Sequence, residues 1–182
     1  MPNNITNQIT VLNGQLPDKY FKVKNGKKCF DFNKVVKMPK ELSETEESSK
    51  TPEEVFQRNL NKYGYRSWYD WANEKWGTKW NAYNQTYSSN SEFQFDTAWK
   101  SPLPLIIELS KQNPELEIKV KYADEDFGYN CGEYTIKNGK IINDLDIVPG
   151  SKEAYELAIE VLGRPDGIEW DEEKQSYVWK ED

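Results

Sequence analysis

The chain has 182 residues, 36% of them hydrophobic, 14% aromatic and 30% charged, with a formal net charge of −7 and no histidine. That length suits one ordinary domain around a single core, and the excess of carboxylates disfavours tracking a nucleic-acid backbone, which depends on Lys and Arg releasing counterions. Without His there is no Ser-His-Asp or Cys-His nucleophile, and with Cys29 and Cys131 the only cysteines a structural zinc site lacks its usual ligands.

From the N-terminus, Ile9 and Val11 alternate with polar residues over Ile5 to Leu12, a half-buried strand closed by Asn13-Gly14. Asn25-Gly26 between alternating segments, Phe21 to Phe30, predicts a tight type I′ hairpin. The polar stretch SETEESSK, Ser43 to Lys50, has no apolar periodicity and reads as an exposed acidic loop. Thr51-Pro52-Glu53-Glu54 then carries the pattern of a capping box with Thr51 as cap, and Phe56, Leu60 and Tyr63 follow at helical spacing. Gly64 interrupts the run. Ser67 caps a second helix with Trp68, Trp71, Ala72 and Trp76 on one face, and Gly77 stands at the left-handed position beyond its end.

Trp80, Ala82 and Tyr83 lead into an extended run, and Phe93, Phe95 and Thr97 alternate with polar residues beyond the turn SSNS. Ser101-Pro102 opens a helix carrying Leu103, Ile106, Ile107 and Ser110, which Pro114 ends. Ile118, Val120 and Tyr122 form the next strand, and Asn138-Gly139 marks another hairpin. After Pro149, Ser151 caps an amphipathic helix with Ala154, Tyr155, Ala158, Val161 and Leu162. Ile168 to Trp170 and Tyr177 to Trp179 then flank the acidic turn Asp171-Glu172-Glu173 as a last hairpin.

Without the insertions, the order strand, helix, strand, strand, helix, strand predicts an α+β fold. It is the split βαβ pattern of a ferredoxin-like sandwich, an antiparallel sheet with helices on one face, plus extra hairpins and a C-terminal helix and hairpin. The expected division is a ferredoxin-like domain over 1–148 and a helix and hairpin over 149–182 packed on it.

Several longer segments carry a resemblance: MPNNITNQITV, FDFNKVVKMPKEL, YGYRSWYDWANEKWGTKWNA, FQFDTAWKSP and YADEDFGYNCGEY. Together, over most of residues 1 to 136, the chain resembles the YubB-like ferredoxin-like family of phage and plasmid proteins. Asn4 and Ile5 stand where the family pattern has Trp and Cys. The resemblance implies a ferredoxin-like fold and a mobile-element origin, a setting in which accessory proteins bind host components, defence machinery included.

The helical and alternating spacing of Trp68, Trp71, Trp76, Trp80 and Trp99 suits core packing, against a base-stacking platform as the alternative. Asp124, Glu125 and Asp126, with Asp96 near them on the sheet, suit a solvated turn, against a hard-cation site as the alternative. Lys75 and Lys79, flanking Gly77, suit the end of that helix and its dipole; with Arg66, which precedes the helix, an anion site at its start is the alternative.

The expected function is therefore that of a non-catalytic, mobile-element accessory protein, without metal or cofactor. It would bind a host protein having a basic groove, as a counter-defence inhibitor of the anti-CRISPR type would. The partner-binding residues expected are Asp124, Glu125, Asp126, Trp170, Asp171, Glu172, Glu173 and Trp179. The second expectation is a nucleic-acid or nucleotide module using sheet aromatics, although the charge disfavours nucleic acid as a direct ligand. A third, a carboxylate and metal enzyme, requires Asp124, Glu125 or Asp126 to converge in a pocket. No apolar run reaches bilayer-spanning length and MPNNITNQ lacks the features of a signal peptide, so the host cytosol is the expected location. There the two cysteines are expected to be inert thiols.

Overall fold

The computed structural model describes residues 2–46, 48, 50–145 and 147–180. In chain order its elements are β1 (Asn4–Val11), β2 (Phe21–Lys24), β3 (Lys27–Phe30), α1 (Lys40–Ser43), α2 (Glu53–Tyr63), α3 (Trp68–Lys75), β4 (Tyr83–Ser89) and β5 (Glu92–Ala98). Then come α4 (Leu103–Gln112), β6 (Glu117–Asp124), β7 (Gly132–Lys137), β8 (Lys140–Leu145), α5 (Lys152–Leu162), β9 (Ile168–Asp171) and β10 (Ser176–Trp179).

The main sheet runs β4-β5-β1-β6-β7-β8, every neighbouring pair antiparallel. Its first four strands are the split βαβ arrangement: β5 lies between β4 and β1, and β6 lies on the other side of β1. The fold is α+β and ferredoxin-like, with β7 and β8 extending the sheet and β2–β3 and β9–β10 forming separate hairpins.

Pleating sorts the residues. Ile5, Asn7, Ile9 and Val11 stand opposite Thr97, Phe95, Phe93 on one side and Asp124, Tyr122, Val120, Ile118 on the other. This face holds the main core, where Phe21 and Phe30 of the small hairpin meet Phe32, Phe93 and Phe95, with Trp71 and Trp76 from α3 and its end, and Leu105, Ile106 and Leu109 from α4. Neighbouring rings are 5.1 to 5.8 Å apart for Phe30 with Phe93, Phe95, Phe32 and Phe21. Aromatic pairs at such separations supplement simple area burial, which is how so polar a chain closes a core.

Helix α5 covers part of the opposite face. Ala123 packs against Leu157, Ala158 and Val161, Gln8 Nε2 reaches the Val161 carbonyl, and Lys121 pairs with Glu160. This second layer was expected only as an addition at the C-terminal end, because its register against the sheet depends on Gln8 and Ala123, far away in sequence.

Local signals mostly carry through. Asn25-Gly26 and Asn138-Gly139 both take positive φ at both positions, as type I′ turns require. Ser67 and Ser151 cap α3 and α5 by accepting from Tyr69 N and Ala154 N. The Thr51 cap does not form: its hydroxyl donates to the Glu46 carbonyl, and Pro52 holds the N-cap position of α2 without a side-chain bond. Nor is SETEESSK uniformly exposed. Thr45 is only 4% accessible, accepts from Asn59 Nδ2 and donates to the Glu41 carbonyl, which ties the segment to α2. Glu47 and Ser49 of that stretch lie outside the described residues.

At WGTKW, Trp76 is buried and its indole N–H donates to the Val36 carbonyl at 2.9 Å. Gly77, at φ +82°, then turns the chain where a Cβ would stand 2.5 Å from Pro104 Cδ. Glycine is needed there for both backbone and space.

Candidate functional site

One end of the sheet gathers chemistry from five separate segments. There the start of β1 lies beside the ends of β5 and β6, with Asn4 opposite Ala98 and Ile5 opposite Asp124. Asp124 is buried and receives three hydrogen bonds: Asn3 Nδ2 at 3.1 Å, Asn130 Nδ2 at 2.8 Å and the Asp126 backbone N–H at 2.9 Å. It is the keystone of the turn that follows β6. Glu125 is exposed and accepts from Asn4 Nδ2, while Asn4 Oδ1 accepts the Tyr83 hydroxyl at 2.6 Å. Burial raises the Tyr83 pKa, and the nearby carboxylates of Asp96 and Glu125 add to it. Asp96 accepts from Thr6 and Asn84. Among the described residues Asp96, Asp124, Glu125 and Asp126 make no ion pair.

Exposed aromatics border these carboxylates. Trp80 and Trp99 are 42% and 43% accessible, and Lys79 lies between them with its Nζ 4.0 Å from each ring centroid. Trp80 also meets the Tyr83 ring edge-on at 6.2 Å. The expectation that Trp80 and Trp99 belong to the core is corrected here. Both lie beyond the ends of strands, where the alternation that buries a side chain no longer applies, whereas Trp71 and Trp76 are buried as expected.

Trp99 is also held in the left-handed region at φ +67°, while the other non-glycine residues with positive φ are Asn or Gln. Bulky residues in that conformation carry backbone strain of roughly 1–3 kcal/mol and persist only where the surroundings over-determine them. Here the restraints are visible: the Trp99 N–H donates to the Asn3 carbonyl at 3.0 Å, and Asn130 Nδ2 donates to the Trp99 carbonyl. The Asn3 side chain and the same Asn130 amide also hold Asp124, so acid and indole are fixed by one network.

The expected residues of the C-terminal hairpin connect to this end through rings. Trp179, 56% accessible, meets Phe127 at 6.4 Å; Phe127 meets Tyr155 at 6.0 Å; Tyr155 meets Tyr177 at 5.2 Å; and Tyr177 meets Trp170 at 5.2 Å. Gly128, at φ +83°, lets the turn approach this ladder, since a Cβ there would stand 2.7 Å from the Tyr155 ring. Trp170 is half-buried and has the Lys152 ammonium over its ring at 4.8 Å. Asp171 caps the hairpin turn by accepting from Glu173 N and Lys174 N. The Lys174 amide, ahead of its other partners, lowers its pKa. Glu172 and Glu173 are exposed.

Thus Phe127, next in the chain to Asp126, brings Trp179 to the turn that carries Asp124, Glu125 and Asp126, whereas Trp170 lies at the far end of the ring ladder beside Lys152 and Asp171 caps its own hairpin. Sequence reasoning missed Asn3, Asn4, Asn130, Tyr83 and the exposure of Trp80 and Trp99. The positive φ of Trp99 has no signal in an Ala-Trp-Lys-Ser string.

Among the described residues no group of three or more His, Cys, Asp or Glu is placed to hold a metal ion. Asp124 turns inward to amides while Glu125 and Asp126 face outward, so the three do not converge. Both cysteines are free thiols, and burial raises the pKa of Cys131, keeping it protonated and unreactive. No helix among the described residues is long and apolar enough to cross a membrane.

A family model described as the ferredoxin-like domain in Api92-like protein matches residues 75–178. The chain belongs to that family. The match takes in Lys79, Trp80, Asp96, Trp99, Asp124 and Asn130, so this member of the Api92-like ferredoxin-like domains carries most of the sheet-end cluster inside the matched region. Among solved structures, protein Api92 from Yersinia pseudotuberculosis is similar at 20% identity with a TM-score of 0.38, over 50% of this chain and 35% of that one. The alignment thus spans about a third of that protein's length. No curated protein matches the chain.

Proposed function

We propose that this chain is a non-catalytic binding protein that holds a basic segment of another protein against the acid and aromatic end of its sheet. The observation that carries the reading is the pairing of unneutralised carboxylates with solvent-facing indoles on one rigid network. Asp96, Glu125 and Asp126 keep accessible carboxylates with no salt bridge among the described residues, while Asp124 lies buried behind them and fixes the turn. Interfaces draw their affinity from aromatic anchors and their partner choice from such charge complementarity.

The resemblance to YubB-like phage and plasmid proteins adds the setting. The partner is a host protein met in the cytosol, and occupying its basic groove makes the chain a counter-defence inhibitor. The nucleic-acid alternative has less support. On the sheet face opposite the main core Tyr83 is the one aromatic side chain among the described residues, and stacking bases needs several.

The test is affinity capture from host lysate with the wild-type chain and with a Glu125→Lys, Asp126→Lys variant, each at low and raised salt. The proposal expects a partner retained by the wild type, released by salt and absent from the variant. Equal retention by both proteins, or no retained protein in several hosts, would remove it.

A further inference from the structure

A second feature of the same half of the molecule lies on the core side of the sheet. Between the N-terminus of α4 and strands β7 and β8 is a cavity of about 370 Å³. Tyr134 and Ser101 form its floor. Tyr134 is 5% accessible, and among the described residues neither its hydroxyl nor that of Ser101 has a hydrogen-bond partner. The two hydroxyls stand close enough for Ser101 to act on the acidity of Tyr134, without hydrogen-bonding geometry between them; burial raises the Tyr134 pKa and keeps it a neutral donor. Tyr122 and Leu103 form walls, and Lys100 and Asp144 stand exposed at the rim.

Buried hydroxyls are ordinarily satisfied, and leaving one unmade costs about 1–3 kcal/mol. Here two lie together under a cavity of ligand size. Neither Lys100 nor Asp144 makes an ion pair among the described residues. The two unmade hydroxyls are donors for an anionic group beside Ser101; the start of α4 adds little, since its Leu103 N–H already bonds the Ser101 carbonyl, the Ile106 N–H bonds the Pro102 carbonyl and Pro104 has no N–H. Lys100 favours the same charge, but Asp144 opposes a ligand that is anionic throughout. A broader depression of about 670 Å³ along α2 has none of these features: six side chains of that one helix line it.

From this arrangement we infer that the cavity over Tyr134 and Ser101 is a binding site for a small zwitterion of the free amino-acid class. The ligand's carboxylate takes donors from Ser101, Tyr134 and Lys100, its ammonium faces Asp144, and its side chain lies along Tyr122 and Leu103. The site adjoins the partner-binding end, since Asn130, which holds Asp124 and Trp99, also lines the cavity, but the unmade hydroxyls that carry it do not depend on that reading.

The test is an NMR titration of the ¹⁵N-labelled chain with each of the twenty L-amino acids, with acetate and methylamine as single-charge controls. At least one amino acid is expected to shift the amides of Ser101, Leu103 and Tyr134 saturably and more tightly than either control. Tyr134→Phe removes only the hydroxyl and should weaken that binding by about tenfold. Lys100→Ala, at an exposed position that the fold does not need, should weaken it severalfold. No saturable shift at those amides with any amino acid, or the same affinity in both variants, would overturn the assignment.

Discussion

Trp99 shows how a single residue can be expensive and retained. Its left-handed backbone costs stability, and its ring is left nearly half in solvent, so burial does not offset the cost. Trp99→Gly should therefore leave the unfolding free energy within about 1 kcal/mol of wild type, since glycine adopts φ +67° freely. A denaturant titration checks this, and a loss of several kcal/mol would mean that the ring supports the fold. Asp124 behaves oppositely. Asp124→Asn can keep one oxygen for Asn3 and the Asp126 N–H but then sets its amide donor against the Asn130 amide, and should cost about 1–3 kcal/mol in the same experiment. Both residues sit in motifs visible in the sequence, but only the structure separates their roles. The acidic run shows Asp124, Glu125 and Asp126 as equals, and pairing with Ile5 and the reach of Asn3 turn one of them inward.

At the scale of elements, the polar stretch before α2 is anchored rather than free, and Glu41 of α1 is the clamp. It accepts from Lys62 Nζ and the Tyr63 hydroxyl, both at 2.7 Å. The Lys62 ammonium first, then Tyr63, brings its pKa from 4.5 down to about 2. A carboxylate depressed in the folded state contributes stability above its unfolded pKa, and this is lost as pH falls through the folded one. Glu41→Gln should thus flatten the fall of stability between pH 4.5 and about 2, read from denaturation midpoints; parallel wild-type and variant curves would contradict the clamp. The turn between β6 and β7 makes a similar case. Gly128→Ala combines positive φ with a Cβ 2.7 Å from Tyr155, and a loss of about 2 kcal/mol is expected on thermal unfolding. Hairpins and most caps were legible because their causes are local: an Asn-Gly pair or a serine before a helix suffices. Thr51 was not, since the Glu46 carbonyl competes for its hydroxyl.

Over the whole molecule, the ferredoxin-like order was legible from strand and helix periodicity, because apolar residues alternate along β5 and β6 and recur at helical spacing in α2, α3 and α4. The second layer made by α5 and the gathering of Asn3, Trp80, Trp99, Asp124 and Asn130 at one end were not. They depend on strand register, which sets residues more than a hundred positions apart side by side. That gathering gives the molecule one end rich in unpaired acid and exposed indole, and the proposed partner binding rests on it. The most direct test is the dissociation constant of the captured partner for wild type and Trp99→Gly, measured by calorimetry alongside the unfolding midpoint. The account predicts that affinity falls by about 30-fold, on the order of 2 kcal/mol for a lost aromatic anchor, while the midpoint holds. Undiminished affinity with the indole gone would contradict it.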